Sequence, residues 1–192
     1  MNYFKGINYT TLNEKQINKI KQFAEDCVKT NYYGDTKQHN IYKIERDIFI
    51  GKAGEEAVKK VFLSYISNNL IKGPDYNIYD KKNKSWEEDL FIDGVGLGVK
   101  TQIKNSADAF DLSWLFQKDS EKGRRDVVLD KPDAFVCFVL YTDQGGEHSF
   151  YVYPPTQIKN LNFKDPKKED LIGYKSVVYA RDLNHVKDNF LV

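Results

Sequence analysis

The sequence predicts an α/β domain, a central mixed β-sheet flanked by helices, and three observations carry that expectation. Two apolar segments, Leu90-Phe91-Ile92 and Val95-Gly96-Leu97, are joined by Asp93-Gly94. Asp-Gly in that setting is a strong hairpin signal, because a two-residue type I′ turn needs positive φ at both central positions. Ala57, Val58, Val61 and Phe62 recur at helical spacing. Phe135 to Tyr141 and Ser149 to Tyr153 read as strands bracketing the Asp143-Gln144-Gly145-Gly146 turn. With 192 residues and 41% hydrophobic content, the chain can bury one substantial core. A single domain over 1–192 is expected, with a helical addition at about residues 1–40.

The elements follow in order. Ile17, Ile20, Phe23, Ala24, Cys27 and Val28 form a helical stripe after Thr11-Leu12-Asn13, which predicts an N-terminal helix. Asn31 to Asn40 is polar and reads as a loop, one that would lie near a bound nucleic acid. A second helix starts near Gly51. Stepping its residues at about 100° places Gly54 within the apolar stripe of Ala57, Val58, Val61, Phe62 and Tyr65. Glu55 then lies at the border of the buried face and can reach over a sheet edge, whereas Glu56 points away and solvates the helix. Acidic residues in a first helical turn are also favoured by the helix dipole alone. Tyr76 to Tyr79 is expected as a first strand, and Ala109 to Phe116 as a helix or long loop. Pro154 and Pro155 end the strand at Tyr153. Lys175 to Tyr179 reads as a late strand and Leu183 to Phe190 as a short terminal helix.

Within the hairpin the register can be counted from the turn. Pairing Ile92 with Val95 sets Phe91 across from Gly96, Leu90 from Leu97, Asp89 from Gly98 and Glu87 from Lys100. Glu87, Asp89, Gly98, Lys100 and Gln102 then share one face. Leu90, Ile92, Val95, Leu97 and Val99 form the other, which must pack on helices. In the simplest reading the polar face is solvated and Glu87 and Lys100 form a cross-strand ion pair. The helix with Glu55 weighs against it by supplying another carboxylate.

Composition narrows the partners. Net charge is +1 and the pI about 7.7, so any nucleic-acid surface must be local. Lys118, Lys122, Arg124 and Arg125 are the candidates, with Lys164, Lys167 and Lys168 as a second group. Acidic neighbours at Asp119, Glu121, Asp165 and Glu169 favour solvated loops for both. Cys27 and Cys137 imply neither a disulfide framework nor a zinc site, and His39, His148 and His185 lack metal-ligand spacing. No signal peptide or membrane-length apolar segment is read, so an intracellular, cytoplasmic protein is expected. The aromatics, among them Tyr32, Tyr33, Trp86, Trp114, Tyr151 and Tyr153, are explained mostly by packing, with base stacking as the functional alternative.

Glu55 on a helix, Asp89 on a strand and Lys100 on the paired strand together resemble the PD-(D/E)XK nuclease superfamily, which includes many restriction endonucleases. The resemblance spans roughly residues 44 to 141. It implies a restriction-endonuclease-like fold, duplex DNA as partner, Mg²⁺ as cofactor with Mn²⁺ as substitute, and a homodimer where both strands are cut. Its second strand acid falls on Gly98. That leaves open whether Glu55, Glu87 or Gln102 completes the metal shell, whether the Val99 carbonyl serves with Asp89, whether the glycine is an engineered substitution, or whether the site is inactive. Asp89, Glu55 and Val99 are the implied metal ligands. Glu55, Asp89, Lys100 and Gln102 form the implied catalytic set, with Lys100 as base or electrostatic stabiliser. Pro74-Asp75 also fits the motif's first half and ranks below Asp89. A junction resolvase or other structure-selective repair nuclease, or an inactive DNA-binding relative, would present the same residues.

Overall fold

The computed structural model describes residues 3–30, 40–79, 88–118 and 125–183. Its elements are β1 (Asn8–Thr11), α1 (Glu14–Thr30), α2 (Ile41–Phe62), β2 (Ile71–Lys72), β3 (Leu90–Ile92), β4 (Val95–Ile103), α3 (Lys104–Phe110), β5 (Ser113–Gln117), β6 (Phe135–Gln144), β7 (Glu147–Val152), β8 (Thr156–Gln157) and β9 (Lys175–Tyr179), with short 3-10 turns between them. The larger sheet runs β1-β7-β6-β4-β3-β2, with β8 also on β6. The β4–β6 pair is parallel and its other described pairs are antiparallel. This is a mixed α/β architecture.

The hairpin register is as counted: Ile92 pairs with Val95, Phe91 with Gly96 and Leu90 with Leu97. Asp93 (φ 50°) and Gly94 (φ 76°) both take the left-handed conformation that a type I′ turn requires. A second turn, with Gly145 and Gly146 at positive φ, joins β6 to β7.

Two apolar clusters sandwich the sheet. On one face α1 and α2 pack Ile20, Ala53, Ala57, Val58 and Phe62 against Leu90, Leu97, Cys137, Val139 and Phe150. On the other, the two-stranded sheet β5–β9 brings Trp114, Phe116 and Val178 onto Val136 and Phe138. Because β6 is covered on both sides, it reads as a continuous apolar run rather than an alternation. Trp114 stacks on Phe138 with centroids 4.5 Å apart, and its Nε1 donates to the Val139 carbonyl at 2.9 Å, so the buried indole leaves no donor unpaired.

Helix α2 sits unusually close to β4. A Cβ at Gly54 would lie 1.9 Å from Thr101 Oγ1, so only glycine lets the helix rest on that strand.

Several expectations need correction. The helix bearing Glu55 begins at Ile41, capped by the Asn40 side chain accepting from the Lys43 amide, about three turns before Gly51. It ends at Phe62, and Tyr65 lies beyond it, stacked on Phe4. The N-terminal stretch is not only helical: Asn8–Thr11 pairs with β7 and forms an edge of the sheet. Asn13 and Gln16 then cap α1 reciprocally. Tyr76–Tyr79 forms no strand. Asp75 accepts from the Asn77 amide and the Tyr79 hydroxyl, folding the chain locally, and the strand lies earlier, where Ile71 faces Ile92. Ala109–Phe116 divides between α3 and β5, because Asp111 (φ 66°) breaks the helix. Tyr32, Tyr33, Trp86, His39, His185, nearly all of the polar loop before Asn40 and the expected helix after Leu183 lie outside the described residues. No helix among those described is long and apolar enough to cross a membrane.

Candidate active site

Strand β4 is nine residues long and β3 only three. Beyond Leu97, β4 is paired with β6 on one side, while on the other no strand continues the ladder among the described residues. The candidate site lies along this edge of β4.

Asp89 stands immediately before β3. Its Oδ2 accepts from the Val99 amide at 2.6 Å, where the next strand-to-strand bond would have formed. A strand residue turns its N–H and C=O to the same side, so the Val99 carbonyl also faces this edge. A Cβ built on Gly98 would lie 4.0 Å from Asp89 Oδ2 and 3.8 Å from the Phe135 carbonyl. Those are ordinary contacts, so Gly98 borders Asp89 as the register count implies, and its place has room for a side chain. Gly73 secures Asp89 from behind, since a Cβ there would lie 2.8 Å from the Asp89 carbonyl.

Glu55 approaches from the helix face. It is buried, with 9% exposure, and its Oε2 accepts from Lys52 Nζ at 2.6 Å. Lys52 also donates to the Asp75 carbonyl at 2.8 Å. Burial first, and then the charge of Asp89, raise the Glu55 carboxyl to about 8 against the opposing pull of Lys52. Burial also raises Asp89, opposed by the Val99 amide, Lys100 and Lys52. The two carboxyls therefore belong to one electrostatic unit in which burial raises both. Glu56 is not merely solvated. It accepts from the Tyr76 hydroxyl at 2.8 Å, which fixes the segment after Pro74 against α2.

Lys100 lies on the Gly98 face of β4, which is covered by β5–β9 rather than open to water. Glu87, its expected partner, lies outside the described residues. Lys100 Nζ instead donates to Asp126 Oδ2 at 2.8 Å and stands 5.0 Å from the Phe116 ring centroid. The same Asp126 oxygen accepts from the Gln117 amide at 2.9 Å, and the Asp126 amide donates to the Gln117 carbonyl at 2.8 Å. Asp126 is thereby locked to the end of β5.

Gln102 is hydrogen-bonded at both ends of its amide. Its Oε1 accepts from the Ser113 amide at 2.8 Å and its Nε2 donates to the Asp111 carbonyl at 3.2 Å. Both ends of the amide are used to tie β4 to the start of β5. The basic candidates are also engaged: Arg125 forks onto Asp130 and Lys118 lies 3.5 Å from Asp165, while Lys122 and Arg124 lie outside the described residues. Lys164, Lys167 and Lys168 pair with Asp182, Asp111 and Asp170.

Sequence reading missed Lys52 and Asp126. Lys52 had a signal, since a lysine three residues before Glu55 shares its helical face. Asp126 had none, because it belongs to an irregular segment whose docking depends on β5. Among the described residues no group of three or more His, Cys, Asp or Glu side chains converges as a metal site. Mg²⁺ needs fewer protein ligands, since it keeps several waters and binds through one or two carboxylates plus substrate phosphates. Glu55, Asp89 and the Val99 carbonyl fit that requirement, because all are hard oxygen donors. Compared with models of known protein families, with characterised proteins and with solved structures, the chain matches none.

Proposed function

We propose that the chain is a Mg²⁺-dependent DNA endonuclease with a restriction-endonuclease-like fold of the PD-(D/E)XK type, hydrolysing phosphodiester bonds in duplex DNA. The observation that carries this reading is the electrostatic link of Glu55 to Asp89 and of Asp89 to Lys100 at this edge of β4, from a helix and two strands in the order of that motif. Asp89, Glu55 and the Val99 carbonyl would hold the metal. When bound, Mg²⁺ would lower the pKa of a coordinated water and neutralise charge on the phosphate.

The chain's own groups have separate tasks. Asp89, fixed by the Val99 amide, keeps its second oxygen at the edge. Glu55 would hold the metal as its carboxylate, its proton released to solvent, with Lys52 beside it at 2.6 Å to balance the charge. Lys100 presents three N–H donors with one directed to Asp126, which leaves others to orient an attacking water or stabilise the negative charge growing on phosphate oxygens.

The test is cleavage of mixed-sequence duplex DNA with Mg²⁺ or Mn²⁺. The wild-type protein should cut, and Asp89→Asn and Lys100→Ala should each lower the rate by about 100-fold or more, the loss common for an electrostatic catalytic group. Cleavage at the wild-type rate in both variants would refute the site. Gly98 favours one second reading, a nuclease-like DNA-binding protein without cleavage. DNA binding without any cutting in either metal would select it.

A further inference from the structure

A cavity of about 710 Å³ opens beyond the ends of the two parallel strands, a volume suited to a small organic ligand. It is lined by Ile103 and Asn105, where β4 runs into α3, and by Tyr141 and Gln144 at the end of β6, with α1 and α2 closing the helix side. The crevice outside the carboxyl ends of parallel strands is where open α/β sheets bind ligands. Ile103 stands four residues along β4 from Val99, about 13 Å. The cavity is therefore separate from the candidate active site.

Its wall is aromatic. His148 stacks on Tyr141 with centroids 5.8 Å apart and planes within 12°, and Tyr141 stacks in turn on Phe150 at 5.1 Å. Phe49 stands edge-on to His148 at 5.7 Å. The Tyr141 hydroxyl and His148 Nδ1 lie 2.6 Å apart, which fixes the imidazole. Tyr42, two turns before Phe49 on α2, also lines the cavity and leaves its ring 82% exposed. An exposed ring at a cavity mouth is a platform for a flat heterocycle.

The polar groups narrow the ligand. Among the described residues, the side-chain amides of Asn105 and Gln144 make no hydrogen bond. An amide sets a donor beside an acceptor, the complement of the adenine edge that carries N6 and N7. Charge gives a phosphate no advantage: Lys21, Arg46 and Lys104 are met by Glu25, Glu45, Asp108 and Asp143, and Lys104 already pairs with Asp108 at 2.7 Å. Recognition falls to the base.

We propose that this cavity binds an adenine base, stacked on Tyr42 and read by the amides of Asn105 and Gln144. The site stands whether or not the chain is a nuclease. The base can come from a free nucleoside or from an unstacked position in a nucleic acid.

The experiment is calorimetric titration in EDTA with adenosine, with inosine, and with a single-stranded oligothymidylate carrying one adenine. Adenosine or the oligonucleotide should bind, the tighter of the two identifying the source. Inosine should bind about tenfold more weakly than adenosine, the discrimination of one paired amide. Tyr42→Ala should weaken adenine binding about tenfold, the loss of one stacking ring, and Tyr42→Phe should restore it. Asn105→Ala/Gln144→Ala should erase the preference over inosine. All three side chains are exposed, and thermal melts check folding. Binding of neither adenine probe, or unchanged affinity in a folded Tyr42→Ala variant, would overturn the inference and leave the nuclease reading untouched.

Discussion

Glu55→Gln should make the protein more stable in alkaline buffer while abolishing the proposed DNA cleavage. The carboxyl is raised from 4.5 to about 8, first by burial and then by Asp89. Below the unfolded value both states are protonated and the group costs nothing. As the pH rises past 4.5 the unfolded chain ionises while the folded chain keeps its proton, so the unfolded state binds fewer protons and stability falls. The loss levels off above about 8, where the folded carboxyl ionises too. Between about pH 5.5 and about pH 8.5 the wild-type protein should lose roughly 3 kcal/mol through this one group, from the two pKa values. Glutamine copies the protonated acid, can still accept from Lys52, and does not titrate. Urea unfolding at both pH values, followed through the buried Trp114, gives the difference directly, because other titrating groups cancel between variants. Stability curves for wild type and Glu55→Gln that run parallel across this range would show that Glu55 is not a buried proton-holding acid. The electrostatic unit with Asp89 would then be lost as an argument.

Three other outcomes follow from the geometry. Gly98→Glu fills an open position beside Asp89 Oδ2 and should tighten Mn²⁺ binding by about tenfold through the added charge; calorimetry showing unchanged or weaker binding would mean that no metal sits at this edge. Gly54→Ala forces a methyl group onto Thr101 Oγ1 and should cost about 1–3 kcal/mol, with partial recovery in Gly54→Ala/Thr101→Ala. Denaturation that finds the single variant neutral would refute the close helix–strand contact. Replacing Asp93-Gly94 by Ala-Ala puts alanine at two positive-φ positions and should destabilise by about 1–3 kcal/mol, read as a lowered urea midpoint; an unchanged midpoint would exclude the type I′ turn.

How far the sequence revealed this molecule depended on whether a signal was local. The β3–β4 register from Leu90 to Leu97 was countable, because the turn chemistry of Asp93-Gly94 sets it and the alternation carries it along the strands. The inequality of Glu55 and Glu56 was also legible, being a matter of helical angle. What the helix does with Gly54 was only half legible: its place in the apolar stripe was visible, but its need to be glycine arises from Thr101, nearly fifty residues away. The partners of Gln102 were not legible, because facing alone says nothing about what covers a face, and the segment from Asp111 to Ser113 that bonds its amide has no counterpart in the local pattern. Asp126 was invisible too, because it gains its meaning from Lys100, twenty-six residues before it, and from the Gln117 backbone.

The carboxylate of Asp89 occupies the place where a neighbouring strand would have bonded to Val99. An exposed strand edge is a template for pairing with another chain, and proteins commonly blunt such edges with inward-pointing charges. Asp89 therefore also guards β4 against adding a strand that does not belong there. Its two roles separate by substitution: asparagine keeps an oxygen for the Val99 amide and removes the charge, whereas alanine frees the amide and opens the edge to self-association. On the proposed reading, the hydrogen bond that positions this acid for a metal also takes up a backbone donor that an added strand would use.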